Sequence, residues 1–465
     1  MSGRLDMAVV GSGPGGYAAA LAAARRGLRV GLIERERWGG VCLNVGCIPT
    51  KALVAVAQTI RRIRQAPSLG ITISGYALDY ALVRARNDRI VTTLRRGLTD
   101  LLRRERVELI DGSAAFEGPH QLVVTQDGSS RIIDAERIIL AAGARPSSGP
   151  WTFDERQVVS YRGLLSGSQR PASLLIIGGG VIGCEFASIF SAFGSQVTLV
   201  EQQAQLLPLE DPDAARWLTR RFEADGITVL TQTTVQRLDV SAEAVTATLA
   251  DGASRTVEQV LVAIGQRPHI EPLQLDAAAV ASARGIRVDG TLRTSQPHIA
   301  AIGDCVEGHG LAHWASAEGA LAVHNLLEDA PESIDPLDVP RCIFTSPEIA
   351  HIGPLESQVR ETMSVSRCAF GALGKSHCDE ETEGFLKLLV DRATDQVRGA
   401  TIVSAHASSL IHHAVLAIRH KLTAKQLART ITAHPTLPEA ITETAAHLYG
   451  ESLVLAARSR NRSAV

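Results

Sequence analysis

Residues 5–34 read LDMAVVGSGPGGYAAALAAARRGLRVGLIE. An apolar run at 7–10 enters a glycine cluster at 11–16. An alanine-rich stretch follows, and a second apolar run ends at Glu34. Short apolar runs bounded by glycine read as buried strands, and the alanine-rich stretch reads as a helix. In such a strand–turn–helix the glycines have separate tasks. Gly11 makes the tight turn, Gly13 lets the backbone approach a pyrophosphate, and Gly16 lets helix and strand pack closely. Gly11, Gly13, Pro14 and Gly16 are therefore candidate dinucleotide-binding residues. The helix N-terminus would face the phosphates with free N–H groups and the positive end of its dipole. Glu34, 23 residues after Gly11, would accept hydrogen bonds from a ribose.

One glycine-rich turn is weak evidence, because such turns also occur as plain corners. The same unit recurs at 174–201, LLIIGGGVIGCEFASIFSAFGSQVTLVE. Gly178, Gly180 and Gly183 follow an apolar strand, and Glu201 again lies 23 residues after the first glycine. Two copies with the same offset predict two bound dinucleotides. Glu201 would repel a 2′-phosphate, and Gln202, Gln203 and Gln205 follow where an arginine would be wanted, which favours NAD over NADP. Each unit has a closing segment. RIILAAGARP at 137–146 and QVLVAIGQRP at 259–268 share a strand, then a glycine (Gly143, Gly265), then Arg-Pro. TSQPHIAAIGDC at 294–305 ends a third apolar strand at Asp304. An aspartate there can bind a ribityl or ribose hydroxyl, or serve as a helix N-cap.

WGGVCLNVGCIPTK at 38–51 places Cys42 and Cys47 between glycines and a proline. A zinc site would need a second cysteine pair or suitably spaced histidines. No second pair exists, and His309 and His313 are remote, so no metal is expected. A structural staple suits a reducing compartment poorly. A redox role fits more of the surroundings. Pro49 can sit in the first turn of a helix. Cys47 then lies at a helix N-terminus, where a thiolate is stabilised. Lys51, four residues on, shares its face. Glu185 is a candidate partner for Lys51.

The chain has 465 residues, 45% hydrophobic and 21% charged, with a net charge of −2. That length predicts several domains. The charge balance gives no reason to expect nucleic acid or an anionic membrane surface. The apolar runs fall short of the roughly 20 residues of a membrane helix. No signal-peptide pattern precedes the first strand, and the seven cysteines are spread too thinly for a secreted scaffold. A cytoplasmic protein is the expectation.

With these residues in place the chain resembles the flavin-dependent pyridine nucleotide–disulfide oxidoreductases over essentially its whole length. The likeness rests on both fingerprints, GGVCLNVGCIPTKAL at 39–53, AIGDC at 301–305, LAHWASAEG at 311–319, PRCIFTSPEIAHIG at 340–353 and AHPTLPEA at 433–440. Within the family it looks most like the members that oxidise protein-bound dihydrolipoamide with NAD⁺. The resemblance implies an α/β protein with two Rossmann-like dinucleotide-binding domains and a C-terminal α+β interface domain. Its expected parts are an FAD domain with the redox disulfide at 1–150, an NAD domain at 151–271, a central domain completing the FAD site at 272–340, and a dimerisation domain at 341–465. FAD is expected on the first fingerprint with Lys51, Gly143, Asp304, Leu311, Ala312 and His313, and NAD on the second with Gly265.

The resemblance further implies a homodimer in which His434, oriented by Glu439, acts as base toward the disulfide of the other subunit. A thiol of ordinary pKa attacks disulfides poorly at neutral pH, so a base is needed. Cys42 is assigned to the substrate and Cys47 to the flavin. No lipoyl domain precedes the first strand, so lipoate is expected on a partner: the lipoyl domain and acyltransferase core of a 2-oxo acid dehydrogenase or glycine-cleavage complex. Trp38, Ala142, Ala144, His413, Thr432 and Pro438 depart from the usual pattern. One rival is a reductase of glutathione-like or mycothiol-like disulfides or of mercuric ion. The tail NRSAV lacks the cysteines expected for the last. The other rival is a catalytically silent flavoprotein within a multienzyme complex.

Overall fold

The structure is a computed structural model describing residues 4–308 and 310–456. His309 and the NRSAV tail lie outside them. The chain forms two compact units. The first takes in the described residues of Met1–Thr59, with Gln65–Pro171 and Gln259–Ile334. The second comprises Ile60–Arg64, Ala172–Glu258 and the described residues of Asp335–Val465.

The first unit begins as the sequence predicts: β1 (Leu5–Val10), α1 (Pro14–Ala24) and β2 (Val30–Glu34). Then come α2 (Gly40–Val45), α3 (Cys47–Gln65), α4 (Tyr80–Arg104) and β3 (Glu108–Asp111). A meander of β4 (Ser113–Gly118), β5 (Gln121–Gln126) and β6 (Ser129–Leu140) leads to β7 (Ala144–Pro146), β8 (Val158–Val159) and α5 (Tyr161–Ser166). The central strands run β3-β2-β1-β6, and Ile299–Ala301 joins the free side of β6. These neighbours are parallel, with Val9 opposite both Leu32 and Ile139. Every residue of β2 is buried, because a parallel sheet is covered on both faces and its strands are continuously apolar. The helix Ala312–Leu327 packs on α1 at a glycine contact. A Cβ on Gly319 would collide with the Gly15 carbonyl oxygen.

In the second unit β9 (Ser173–Ile177), α6 (Val181–Ala192), β10 (Gln196–Val200), α7 (Pro212–Ala224) and β11 (Thr228–Leu230) repeat the opening pattern. β10 pairs in parallel with both β9 and β11. The C-terminal part is a five-stranded antiparallel sheet in the order 341–343, 348–352, 397–404, 385–391, 363–369. The helices Ala407–Arg419 and Glu439–His447 share a core with it, through Leu386, Leu388, Ile402, Ile411 and Ala445.

By length and composition the helical run Gly40–Leu69 would suffice to span a membrane. The sequence reading did not expect any stretch to come so close. The run is broken at Gly46 into α2 and α3. It buries Leu53, Ala57 and Ile60 and ends among Arg61, Arg62 and Arg64, so it reads as a core helix.

Lys387 is 1% exposed and lies between Asp211 (2.7 Å), Asp213 (2.7 Å) and Glu356 (2.9 Å). Arg367 joins Asp213 and Glu356. Asp211 also caps α7 by accepting the Asp213 N–H. A buried cation removed from such a cluster leaves carboxylates unpaired. Lys387→Met is expected to destabilise the second unit by about 3 kcal/mol, read as a lower denaturation midpoint. An unchanged midpoint would show that the cluster contributes nothing.

Candidate active site

The two glycine turns match in detail. Gly11 and Gly178 take φ of +100° and +108°, which only glycine adopts cheaply. A Cβ on Gly16 would strike the Gly11 carbonyl oxygen, and one on Gly183 would strike that of Gly178. A Cβ on Gly13 or Gly180 would meet nothing within 4 Å. These two glycines therefore leave the open approach that a pyrophosphate needs. The closing carboxylates match as well. Glu34 accepts the Ser12 N–H (3.0 Å) and the Glu36 N–H (2.8 Å). Glu201 accepts the Gly179 N–H and the Gln203 N–H, both at 2.7 Å. Both turns thus fit a dinucleotide, with Pro14 at the start of α1.

The other expected FAD residues also lie in the first unit. Gly143 (φ +72°) accepts the His269 N–H at 2.9 Å. Asp304 sits in the single turn Gly303–Cys305, and burial pushes its carboxyl up. Leu311 is the N-cap of the helix Ala312–Leu327, which places Ala312 and His313 in its first turn. Gly265 (φ +109°) stands between the strands Gln259–Val262 and Gln266–Pro268.

The cysteine segment is bound to the first turn. Ser12 donates its hydroxyl to Glu34 (2.6 Å) and accepts the Gly39 N–H (3.0 Å). A Cβ on Gly40 would run into the Gly13 Cα, so the backbones touch. The Asn44 amide donates to the carbonyls of Trp38 (2.9 Å) and Gly40 (2.8 Å), and Arg95 donates to its oxygen (3.2 Å). Ser12, Asn44 and Arg95 were not singled out in the sequence. Ser12 lies inside the fingerprint and was legible there. Nothing local marked Arg95.

Cys42 belongs to α2, Cys47 opens α3, and Lys51 follows one turn later. Both sulfurs are thiols here. A hydrogen bond to Cys47, then burial and the negative charge of Cys47, push the Cys42 thiol far up, while Lys51 pulls it down.

In the second unit the His434 Nδ1 lies 2.9 Å from a Glu439 oxygen, with the imidazole 77% exposed. Pro438 does not divert the carboxylate. Burial pushes Glu439 up, but hydrogen bonds from His434 and Thr436 bring it below the ordinary value. Glu185, buried on α6, accepts the Phe344 N–H at 2.9 Å. Glu185 and Lys51 fall in different units, as do the cysteine pair and His434. Thr432 bonds Thr442, and His413 bonds the Leu410 carbonyl.

The pyridine nucleotide-disulphide oxidoreductase profile matches residues 5–319, and its dimerisation domain matches 339–445. The chain belongs to this family. As a member it is a flavoprotein disulfide oxidoreductase that uses FAD and NAD, and it carries the family's dimerisation domain. Its relatives include the dihydrolipoyl dehydrogenase of Bacillus subtilis, 36% identical over 94% of this chain and 97% of that one. The enzyme of the same name from Chlorobaculum tepidum is 38% identical over 96% and 97%. Among solved structures, LpdA from Mycobacterium tuberculosis superposes with a TM-score of 0.90 at 28% identity, covering 95% and 99%. The HOCl-induced flavoprotein disulfide reductase RclA of Escherichia coli does so at 0.86, also at 28% identity, covering 95% and 99%.

Two outcomes follow. Gly183→Ala should lower NADH affinity at least tenfold while the protein keeps its FAD, checked by NADH titration and flavin absorbance. Equal loss of both would contradict separate sites. A depressed Glu439 makes its contact with His434 fully present above the ordinary glutamate pKa of about 4.3. The contact is lost only as pH falls through the lower folded value. The Glu439 side-chain carboxylate ¹³C resonance should therefore titrate below the ordinary glutamate value in wild type and move up toward it in His434→Gln.

Proposed function

We propose that the chain is a dihydrolipoyl dehydrogenase, oxidising protein-bound dihydrolipoamide to lipoamide with NAD⁺. The observation that carries this reading is the exposed His434 held by Glu439, in a chain that also presents a vicinal cysteine pair. The names of the relatives at 35–38% identity agree. FAD belongs to the first fingerprint with Glu34, Lys51, Gly143, Asp304 and the turn at Leu311–His313. NAD belongs to Gly178, Gly180, Gly183, Glu201 and Gly265.

In this mechanism His434 takes a proton from a dihydrolipoamide thiol. The thiolate attacks Cys42, and the Cys42–Cys47 bond breaks with Cys47 leaving as thiolate. The second substrate sulfur displaces Cys42, which gains the first proton from His434, and His434 takes up the second thiol's proton as lipoamide departs. Bound FAD would supply the two-electron relay from the reduced cysteine pair to NAD⁺. The α3 N-terminus and Lys51 hold the negative charge on Cys47, and Glu439 holds the imidazole in the productive tautomer.

The reading extends to a cytoplasmic homodimer in which His434 serves the cysteine pair of the other subunit. The partner is a lipoyl domain of a 2-oxo acid dehydrogenase or glycine-cleavage complex. The four-part division at 150, 271 and 340 belongs to the same proposal.

Steady-state assays with lipoamide or glutathione, each with NAD(H) and NADP(H), test it. Turnover of the lipoamide/NAD(H) pair is expected, and its absence overturns the reading. His434→Gln should lower kcat by about 10²–10⁴-fold with FAD content unchanged. A loss under threefold would remove His434 from the mechanism.

A further inference from the structure

Ala142 and Ala144 put methyl groups on the closing segment of the first unit, beside the first glycine turn. Two side chains of the same unit bury polar atoms that are not fully satisfied. Tyr161, the first residue of α5, is 6% exposed. Arg162 interacts with its oxygen, but an arginine can only donate, so the phenol O–H is left without an acceptor. His269 follows Pro268, which pairs with Ala144. Its backbone N–H bonds the Gly143 carbonyl, while both ring nitrogens are shielded from solvent and unpartnered. A buried polar group left unpaired costs stability, so each such pair calls for a ligand.

Their surroundings say which part of a ligand. Arg162, next to Tyr161, bonds Glu36 at 2.9 Å, and the charge of Asp304 also reaches the Tyr161 phenol. His269 feels Arg35, Arg145, Glu271 and Glu36. Glu36 stands two residues past Glu34, at the ribose end of the first fingerprint. Asp304 stands at the ribityl end. A group lying between those two ends faces the link that joins them, the pyrophosphate. Burial pushes the Tyr161 phenol up and the His269 imidazole down. The phenol is therefore a neutral donor, and the imidazole offers one donor and one acceptor.

We infer that Tyr161 donates a hydrogen bond to a pyrophosphate oxygen of FAD, with His269 bonding the adenosine side of the same cofactor. The two side chains supply polar contacts that Ala142 and Ala144 cannot. The inference rests on the assignment of FAD to the first unit and adds two positioning residues outside its glycine fingerprint. A hydrogen bond to a charged acceptor is worth roughly a tenfold change in affinity or more.

The test uses holoenzyme. FAD release is followed by the rise of flavin fluorescence in dilute guanidinium, for wild type, Tyr161→Phe and His269→Ala. About tenfold faster release is expected for Tyr161→Phe, with a smaller increase for His269→Ala and unchanged NADH affinity. The ³¹P resonances of the bound pyrophosphate should also shift in Tyr161→Phe, a change that general loosening of the fold would not confine to phosphorus. Release within twofold of wild type, or ³¹P resonances at their wild-type positions, overturns the inference. Wild type purified without FAD would instead overturn the cofactor assignment itself.

Discussion

A carboxylate accepting the N–H of the residue after the first glycine closes each nucleotide turn. Glu34 does so for Ser12, and Glu201 for Gly179. In both cases the acid ends a strand and the turn ends the strand beside it. One charge therefore fixes the loop and also stands ready for a ribose. The left-handed Gly11 and Gly178 and the collision-free Gly13 and Gly180 make sense only once that closure holds the backbone in place.

The redox segment depends on the same closure. Ser12 spends its hydroxyl proton on Glu34 and its lone pair on the Gly39 N–H. Gly40 then rests on Gly13 with no room for a side chain. The cysteines are placed by the nucleotide turn rather than by their own spacing. Once placed, they are made unequal. Cys47 opens a helix, whereas burial and the neighbouring Cys47 raise the Cys42 thiol against the pull of Lys51. An exchange reaction needs that asymmetry, with one sulfur as electrophile and later thiol, and the other as leaving thiolate.

The second unit shows where local pattern was legible and where it was not. The strand at 385–391 alternates, with Leu386 and Leu388 toward the core, yet Lys387 is as buried as either. Sequence alone would place such a lysine in solvent. Its partners come from 31–176 positions away, and no periodicity reports a pairing of that kind. The His434–Glu439 pair was legible because its members stand five residues apart in one turn. Arg95, which steadies Asn44 beneath the cysteines, was not.

From the sequence alone come both glycine turns, their closing acids, the parallel strands around them, the cysteine pair at a helix start and the histidine–glutamate pair. All are short-range features, set by backbone conformation and by spacings of a few residues. Even the 23-residue offset to each acid is one strand–helix–strand unit repeated. Tertiary structure decided the rest: the raised Cys42 thiol, the buried charge on Lys387, and the Tyr161 hydroxyl left without an acceptor. Those depend on burial and on charges brought together from distant parts of the chain. Desolvation and Coulomb interactions act through space, and the order of residues along the chain does not encode them locally.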